Sequence, residues 1–217
     1  MKRNISEVFQ RIKWLFIPYL MILCVCLTIK LTCSRETIYF AVNSMYNPFY
    51  DWIAPYVTNL GNGWTAVAIA VIMTLFNYRK ALIVATAFAV TAIIAQIIKY
   101  SVDAPRPKMY FKDQLSRIHF VKDVDILSTH SFPSGHTVTA FSLAVLFAYW
   151  SKNKALGTIF LLIAIMVGYS RMYLSEHFFE DVTVGSALGV IITVAWLYWL
   201  DNKAFIQQPK WQRGLLR

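Results

Sequence analysis

The sequence predicts an all-α integral membrane protein, with six transmembrane helices gathered in a bundle. Three observations carry that prediction. Of 217 residues, 58% are hydrophobic and only 15% are charged, whereas a soluble domain is about 45–50% apolar and about 25% charged. Long stretches contain no Asp, Glu, Lys or Arg, and basic residues punctuate the turns and tails between them. This composition excludes an ordinary soluble globular protein and a disordered chain. The length suits one domain, taken as 1–217.

The first charge-free stretch covers residues 14–29. The second covers 52–78, and its later part, 63–78, reads as the span. Residues 81–98 form the third. The fourth is 126–151, most apolar after His136, and 155–170 and 182–200 complete the set. A helix needs about 20 apolar residues to cross a bilayer, so the shorter runs lean on flanking Lys30 or Arg171, which snorkel or face a polar cavity. Residues 1–13 are basic and an apolar run follows, but no A-x-A-like cleavage site comes after it, so an uncleaved helix is expected. Cys24, Cys26 and Cys33 have no metal-ligand spacing with histidine and read as apolar filler. Segment 34–62 is rich in aromatics and broken by Pro48 and Pro55. Its alternating polar and aromatic residues suit the membrane surface; a loop packed on helix ends is the plainer alternative.

Charge then orients the bundle. Both termini and the turns at Arg79–Lys80 and Lys152–Lys154 fall on one side. That side holds Lys2, Arg3, Arg11, Lys13, Arg79, Lys80, Lys152, Lys154, Lys203, Lys210, Arg213 and Arg217, against only Glu7 and Asp201. The other side is neutral, so the whole net charge of +10 lies on one face. The positive-inside rule makes that face cytoplasmic, with both termini inside, and a small chain with almost no extra-membrane domain is expected in a bacterial cytoplasmic (inner) membrane. The excess is dispersed over short turns rather than gathered in a stripe, which removes nucleic acid as a partner.

The remaining polar residues meet at the opposite, extracytoplasmic side. Lys99 ends the third span, and Arg106 follows in the loop. Ser134, Gly135 and His136 start the fourth. Ser170 and Arg171 end the fifth, and His177 and Asp181 precede the sixth. Ionisable groups at membrane depth are expensive and point to function. Lys99, Arg106 and Arg171 would present three positive charges to one anion, and arginine forks match phosphate oxygens. Ser134-Gly135 at a helix start adds backbone donors and the positive end of the helix dipole. His177 and Asp181, four apart, share a face if the turn is helical. A carboxylate on one ring nitrogen then leaves the other free to attack. His136 is placed to protonate a leaving oxygen and later to activate water.

Lys99-x6-Arg106-Pro107, Pro133-Ser134-Gly135-His136 and Ser170-Arg171-x5-His177-x3-Asp181 together resemble the three signature motifs of the type-2 phosphatidic acid phosphatase superfamily, with no departure at any motif position. The motif-bearing core spans 99–181. The resemblance implies a metal-independent lipid phosphatase working through a phosphohistidine on His177. It implies Asp181 as orienting carboxylate and His136 as general acid, then base. Lys99, Arg106, Ser134, Gly135, Ser170 and Arg171 would bind phosphate. No cofactor or metal is implied, and a site built from His130, His136, His177 and Asp181 is disfavoured.

The expected substrate is a phosphorylated lipid within the bilayer: undecaprenyl diphosphate, phosphatidylglycerophosphate, phosphatidic acid or a lipid A phosphate. No protein partner is expected. A lipid phosphotransferase would use the same phosphohistidine. A transporter for a phosphorylated lipid or sugar belongs to another class, but no internal repeat supports it. His119 and His130 match no motif and read as loop residues, with His130 close enough to Pro133 to touch substrate. Gly185 and Gly189 read as a close-packing pair within the bundle. Loop 108–132 is either a solvated cap or a lid that selects the head group.

Overall fold

Four asparagine or serine side chains start helices in the first half of the chain. Ser34 accepts from Thr37 N, Asn47 from Tyr50 N, Asn62 from Trp64 N and Asn77 from Lys80 N, each at 3.0–3.1 Å. Such residues satisfy the orphan donors of a first turn. The computed structural model describes residues 4–216, and every regular element among them is helical. The α-helices are, in order, α1 (Ile5–Thr32), α2 (Arg35–Asn43), α3 (Pro48–Asn59), α4 (Gly63–Phe76), α5 (Tyr78–Val102), α6 (Pro107–Tyr110), α7 (Gly135–Trp150), α8 (Leu156–Tyr173) and α9 (Phe179–Asp201), and short 3-10 turns cover Lys112–Arg117, Ala204–Gln207 and Pro209–Gln212. Lys2, Arg3 and Arg217, which enter the charge asymmetry, lie outside the described residues.

The expectation of six spans is met only in part. Ile5–Thr32, Tyr78–Tyr110, Leu156–Tyr173 and Phe179–Asp201 are long and apolar enough to cross a membrane. The second expected span is broken: α3 and α4 meet at a 51° bend and make a fifth crossing only as a pair. Residues 60–63, Leu-Gly-Asn-Gly, supply the break. The fourth expected span, α7, has 16 residues, just under the usual range of about 17–25. It is short because Pro133 lies just ahead of its start and because it stands inside the bundle. Its residues from Thr137 to Leu146 are all buried, so the lipid thickness does not set its length.

Lipid tails are as apolar as leucine, so helices in a bilayer associate through close packing and polar contacts rather than through the hydrophobic effect. The α7–α9 contact shows both. A Cβ at Gly185 would meet Ser134 O at 2.8 Å, and one at Gly189 would meet Val138 O at 2.6 Å. The two glycines therefore let α9 lie directly on α7, as the sequence suggests. Thr193 donates to Ser142 at 2.7 Å across the same interface. Trp196 Nε1 reaches Thr86 Oγ1 on α5 at 2.9 Å.

The basic turns and the C-terminal segment converge at one end. Tyr78 N donates to Arg213 O at 2.8 Å, and Leu215 N to Thr74 O at 3.1 Å. Arg79 forms an ion pair with Asp201, which also accepts from Tyr149 Oη. From there α5 carries the chain to Lys99, a rise of about 30 Å over the intervening residues.

Segment 34–62 forms α2 and α3 rather than a loop. Phe49, Trp52 and Tyr56 are exposed, while Tyr39 is buried. Loop 108–132 is a packed cap. Phe111 and Ile118 cluster with Tyr39 and Phe178, and Val121 clusters with Ala54, Tyr173 and Leu174. His119 fastens it: its main chain exchanges hydrogen bonds with the Asn43 side chain at 2.8 and 2.9 Å, and its Nε2 lies 3.0 Å from both Asp51 carboxylate oxygens.

Candidate active site

A cavity of about 520 Å³ opens at the end of the bundle reached by Lys99. Lys99, Arg106, Gly135, His136, Arg171 and His177 all line it. Residues 78 positions apart at the extremes of this set are thus brought to one wall, as the motif spacing predicts.

Local backbone chemistry explains the convergence. After α5 the chain turns at Asp103 (φ 43°). Arg106 precedes Pro107, which keeps its backbone extended (φ −80°, ψ 165°). Segment 104–106 then pairs with 128–131: Arg106 N donates to Ser128 O and Ser131 N to Ala104 O, both at 2.8 Å. That pairing sets Ser131 beneath the cavity. Between α8 and α9, Ser175 takes a left-handed conformation (φ 56°). Glu176 N and His177 N both fold back onto Arg171 O, at 3.1 and 3.2 Å. Motif residues six apart are held side by side in this way. Tyr39 Oη of α2 steadies the turn at 2.8 Å from Ser175 Oγ.

His177 is almost fully buried. Asp181 Oδ2 and Ser131 Oγ each lie 3.4 Å from its Nδ1. Ser131 donates to the same Asp181 oxygen at 2.5 Å, and Phe178 N donates to it at 2.8 Å. Asp181 stands in the first turn of α9 rather than before it, where a carboxylate is favoured by the helix dipole. With Nδ1 held by these partners, Nε2 is the nitrogen left to react. Burial, followed by the charges of Arg171, Arg106 and Lys99, pushes the His177 pKa well below its ordinary value. The ring is therefore neutral, with a lone pair available.

The two arginines are fixed on several sides. Arg106 Nε donates to Thr129 O at 2.9 Å, and its Nη1 donates to Glu176 O at 3.2 Å and ion-pairs with the Glu176 carboxylate. Arg171 Nη1 donates to Thr58 Oγ1 on α3 at 2.8 Å, and its Nη2 is 3.4 Å from Glu176 Oε2. Arg171 Nε is buried without a hydrogen-bond partner, an arrangement that calls for an explanation such as a ligand anion. Gly135 has open space where a Cβ would project, so an anion can approach the first turn of α7 closely.

Ser134 and Ser170 stand differently. Ser134 is fully buried behind Gly135, where its hydroxyl accepts from Thr137 Oγ1 at 2.9 Å. Ser170 donates back to Val167 O at 2.7 Å and lines a neighbouring apolar cavity between α3 and α8. The structure does not bring its hydroxyl to the cationic wall. His130 pairs with Asp103 at 3.0 Å, packs on Tyr100 and is not part of the cavity wall. Sequence reasoning missed Ser131, Glu176 and Thr58. Glu176 alone had a signal, as a carboxylate next to a motif histidine.

The pattern of the PAP2 superfamily matches residues 80–205. The chain is 28% identical to phosphatidylglycerophosphatase B of Bacillus subtilis over 192 residues, covering 82% of this chain and 89% of the relative. Among solved structures, it resembles the transmembrane PAP2-type phosphatidylglycerolphosphate phosphatase from Bacillus subtilis. The TM-score is 0.64 at 25% identity, with 91% of this chain and 99% of the other covered. Aquifex aeolicus LpxE superposes with a TM-score of 0.63 at 25% identity, covering 75% of this chain and 93% of that one.

Proposed function

The chain belongs to the PAP2 superfamily and is an integral membrane phosphatase, and from that premise we propose that it hydrolyses a lipid phosphomonoester or diphosphate through a phosphohistidine on His177. The observation that carries this reading is the buried His177, held at Nδ1 by Asp181 and Ser131, on the same wall as Lys99, Arg106 and Arg171.

In the first step His177 Nε2 attacks phosphorus and the bond to the lipid oxygen breaks. Arg106, Arg171, Lys99 and the backbone N–H groups at Gly135 and His136 take up the charge on the phosphoryl oxygens. The negative charge of the incoming phosphate favours the protonated form of His136. His136 then gives its proton to the departing oxygen. In the second step a water attacks the phosphohistidine, His136 takes the water's proton, and inorganic phosphate leaves with His177 restored.

A lipid substrate suits a cationic wall at the end of an apolar bundle. Phosphatidylglycerophosphate is the first candidate to test, from the name of the Bacillus subtilis relative, followed by undecaprenyl diphosphate, phosphatidic acid and lipid A phosphates. The charge asymmetry supports an inner-membrane protein with its termini in the cytoplasm and the site on the extracytoplasmic side.

The test is phosphate release by purified protein in detergent with EDTA, over that lipid panel, beside His177→Ala. Release that persists in EDTA and falls by at least about 1,000-fold in the variant is expected. Trapped phosphate on a residue other than His177, or release from His177→Ala at the wild-type rate, overturns the proposal.

A further inference from the structure

Glu176 fills an unspecified position of the third motif, between Arg171 and His177, yet its carboxylate engages both arginines. It is 4% exposed, lines the cavity and adjoins the nucleophile in sequence. Its Oε2 pairs with Nη1 of Arg106 and lies 3.4 Å from Nη2 of Arg171. One buried carboxylate oxygen thus gathers both guanidinium groups. The other sides of those groups are occupied by Thr129 O and Thr58 Oγ1. A phosphate bridging the arginines finds Arg171 Nε unpartnered, and meets Glu176 at Arg106 Nη1 and Arg171 Nη2.

Resting on the phosphatase reading above, we propose that Glu176 is a resident anion. It holds Arg106 and Arg171 together while the site is empty and yields their donors to the phosphoryl group. Three cations on one wall repel each other, and a buried charge without a partner is costly. A carboxylate solves that problem for the empty site. It also competes with the inorganic phosphate formed by hydrolysis, because a singly charged neighbour remains beside a bound anion and repels it. Glu176 is a positioning residue: it acts on phosphate affinity through the two arginines and takes no part in bond making.

The proposal predicts an unusual sign. Replacing a residue that touches both phosphate-binding arginines should tighten phosphate binding. Inorganic phosphate is titrated calorimetrically into the full-length protein in detergent, for wild type, Glu176→Gln and Glu176→Asp. Glu176→Gln is expected to lower the phosphate Kd about tenfold, the scale on which a like charge acts at a partly desolvated site. Glu176→Asp, which keeps the charge one methylene further back, should fall between. In steady state Glu176→Gln should lower KM and the phosphate inhibition constant together.

An unchanged or weakened phosphate Kd in Glu176→Gln overturns the proposal, since the carboxylate would then only orient the arginines. Failure of both variants to fold overturns it too, because a group that must yield cannot be an indispensable strut. Absence of phosphate release by the wild type from every lipid of the panel is a different result: it removes the phosphatase reading itself.

Discussion

The Ser131 hydroxyl lies 2.5 Å from Asp181 Oδ2 and 3.4 Å from His177 Nδ1, so one buried serine touches both members of the nucleophilic pair. Asp181 thereby receives two hydrogen bonds on one oxygen, from Ser131 and from Phe178 N. Both pin the carboxylate on the Nδ1 side of the ring.

Ser131→Ala should therefore lower kcat by about 10–100-fold, the loss typical of removing an outer partner that orients a functional imidazole. KM should change little, because Ser131 does not line the cavity. Steady-state kinetics on the best lipid substrate decide the matter; a rise in KM at constant kcat would place Ser131 in binding instead.

Thr58 makes the opposite kind of contribution. It sits on α3, far from the motifs in sequence, and accepts from Arg171 Nη1. Thr58→Val leaves a buried guanidinium donor unpaired, a loss of about 1.5–3 kcal/mol for a charged hydrogen bond. We expect KM to rise by about tenfold or more, each factor of ten corresponding to about 1.4 kcal/mol, with a smaller change in kcat. Equal KM values for variant and wild type would show that Arg171 is held without α3.

Two glycine substitutions should separate stability from activity. A Cβ at Gly189 falls 2.6 Å from Val138 O, a backbone atom that cannot swing aside. Gly189→Ala should destabilise the bundle by about 1–3 kcal/mol, as overpacking does, and lower the thermal midpoint in detergent. Gly135→Ala meets nothing within 4 Å, so its midpoint should match the wild type. Its methyl group occupies space that the anion needs, and its phosphatase rate should fall. Two variants with the same midpoint would contradict the α7–α9 contact described here.

Acid should destabilise the protein through His177. The unfolded chain protonates this residue below about pH 6.5. In the folded protein, burial and the neighbouring cations keep it neutral well below that. Below pH 6.5 the unfolded state therefore binds more protons, and stability falls as the pH drops toward the folded pKa. Thermal midpoints measured from about pH 8 to 5 should decline more steeply for wild type than for His177→Asn. Parallel curves would mean that the histidine takes up its proton over the same pH range in both states.

Much of this was legible in the sequence, and the gaps have physical causes. Lys99, Arg106, Gly135, His136, Arg171 and His177 fall together because the charge-free runs, taken as alternating crossings, bring all three motifs to one side. Ser131, Glu176 and Thr58 could not. Ser131 arrives through the pairing of 104–106 with 128–131, and Glu176 through the left-handed turn at Ser175. Contacts of that kind carry no periodic signal. Ser170 shows the reverse difficulty: its motif position was clear, but its hydroxyl turns back to Val167. The break between α3 and α4 was written in Gly61, Asn62 and Gly63, yet a charge count passes over uncharged turn residues. The same count reads α7 as a full span.

The reactive wall and the basic turns lie at opposite ends of α5, and the consequence is one of supply. An enzyme built with a single reactive end serves one leaflet. Phosphorylated lipid in the other leaflet is out of its reach until something carries the head group across. The turnover of such a bundle in a sealed vesicle should thus stop when one leaflet is spent, leaving about half of a symmetric substrate pool intact, and should resume only as fast as lipids flip.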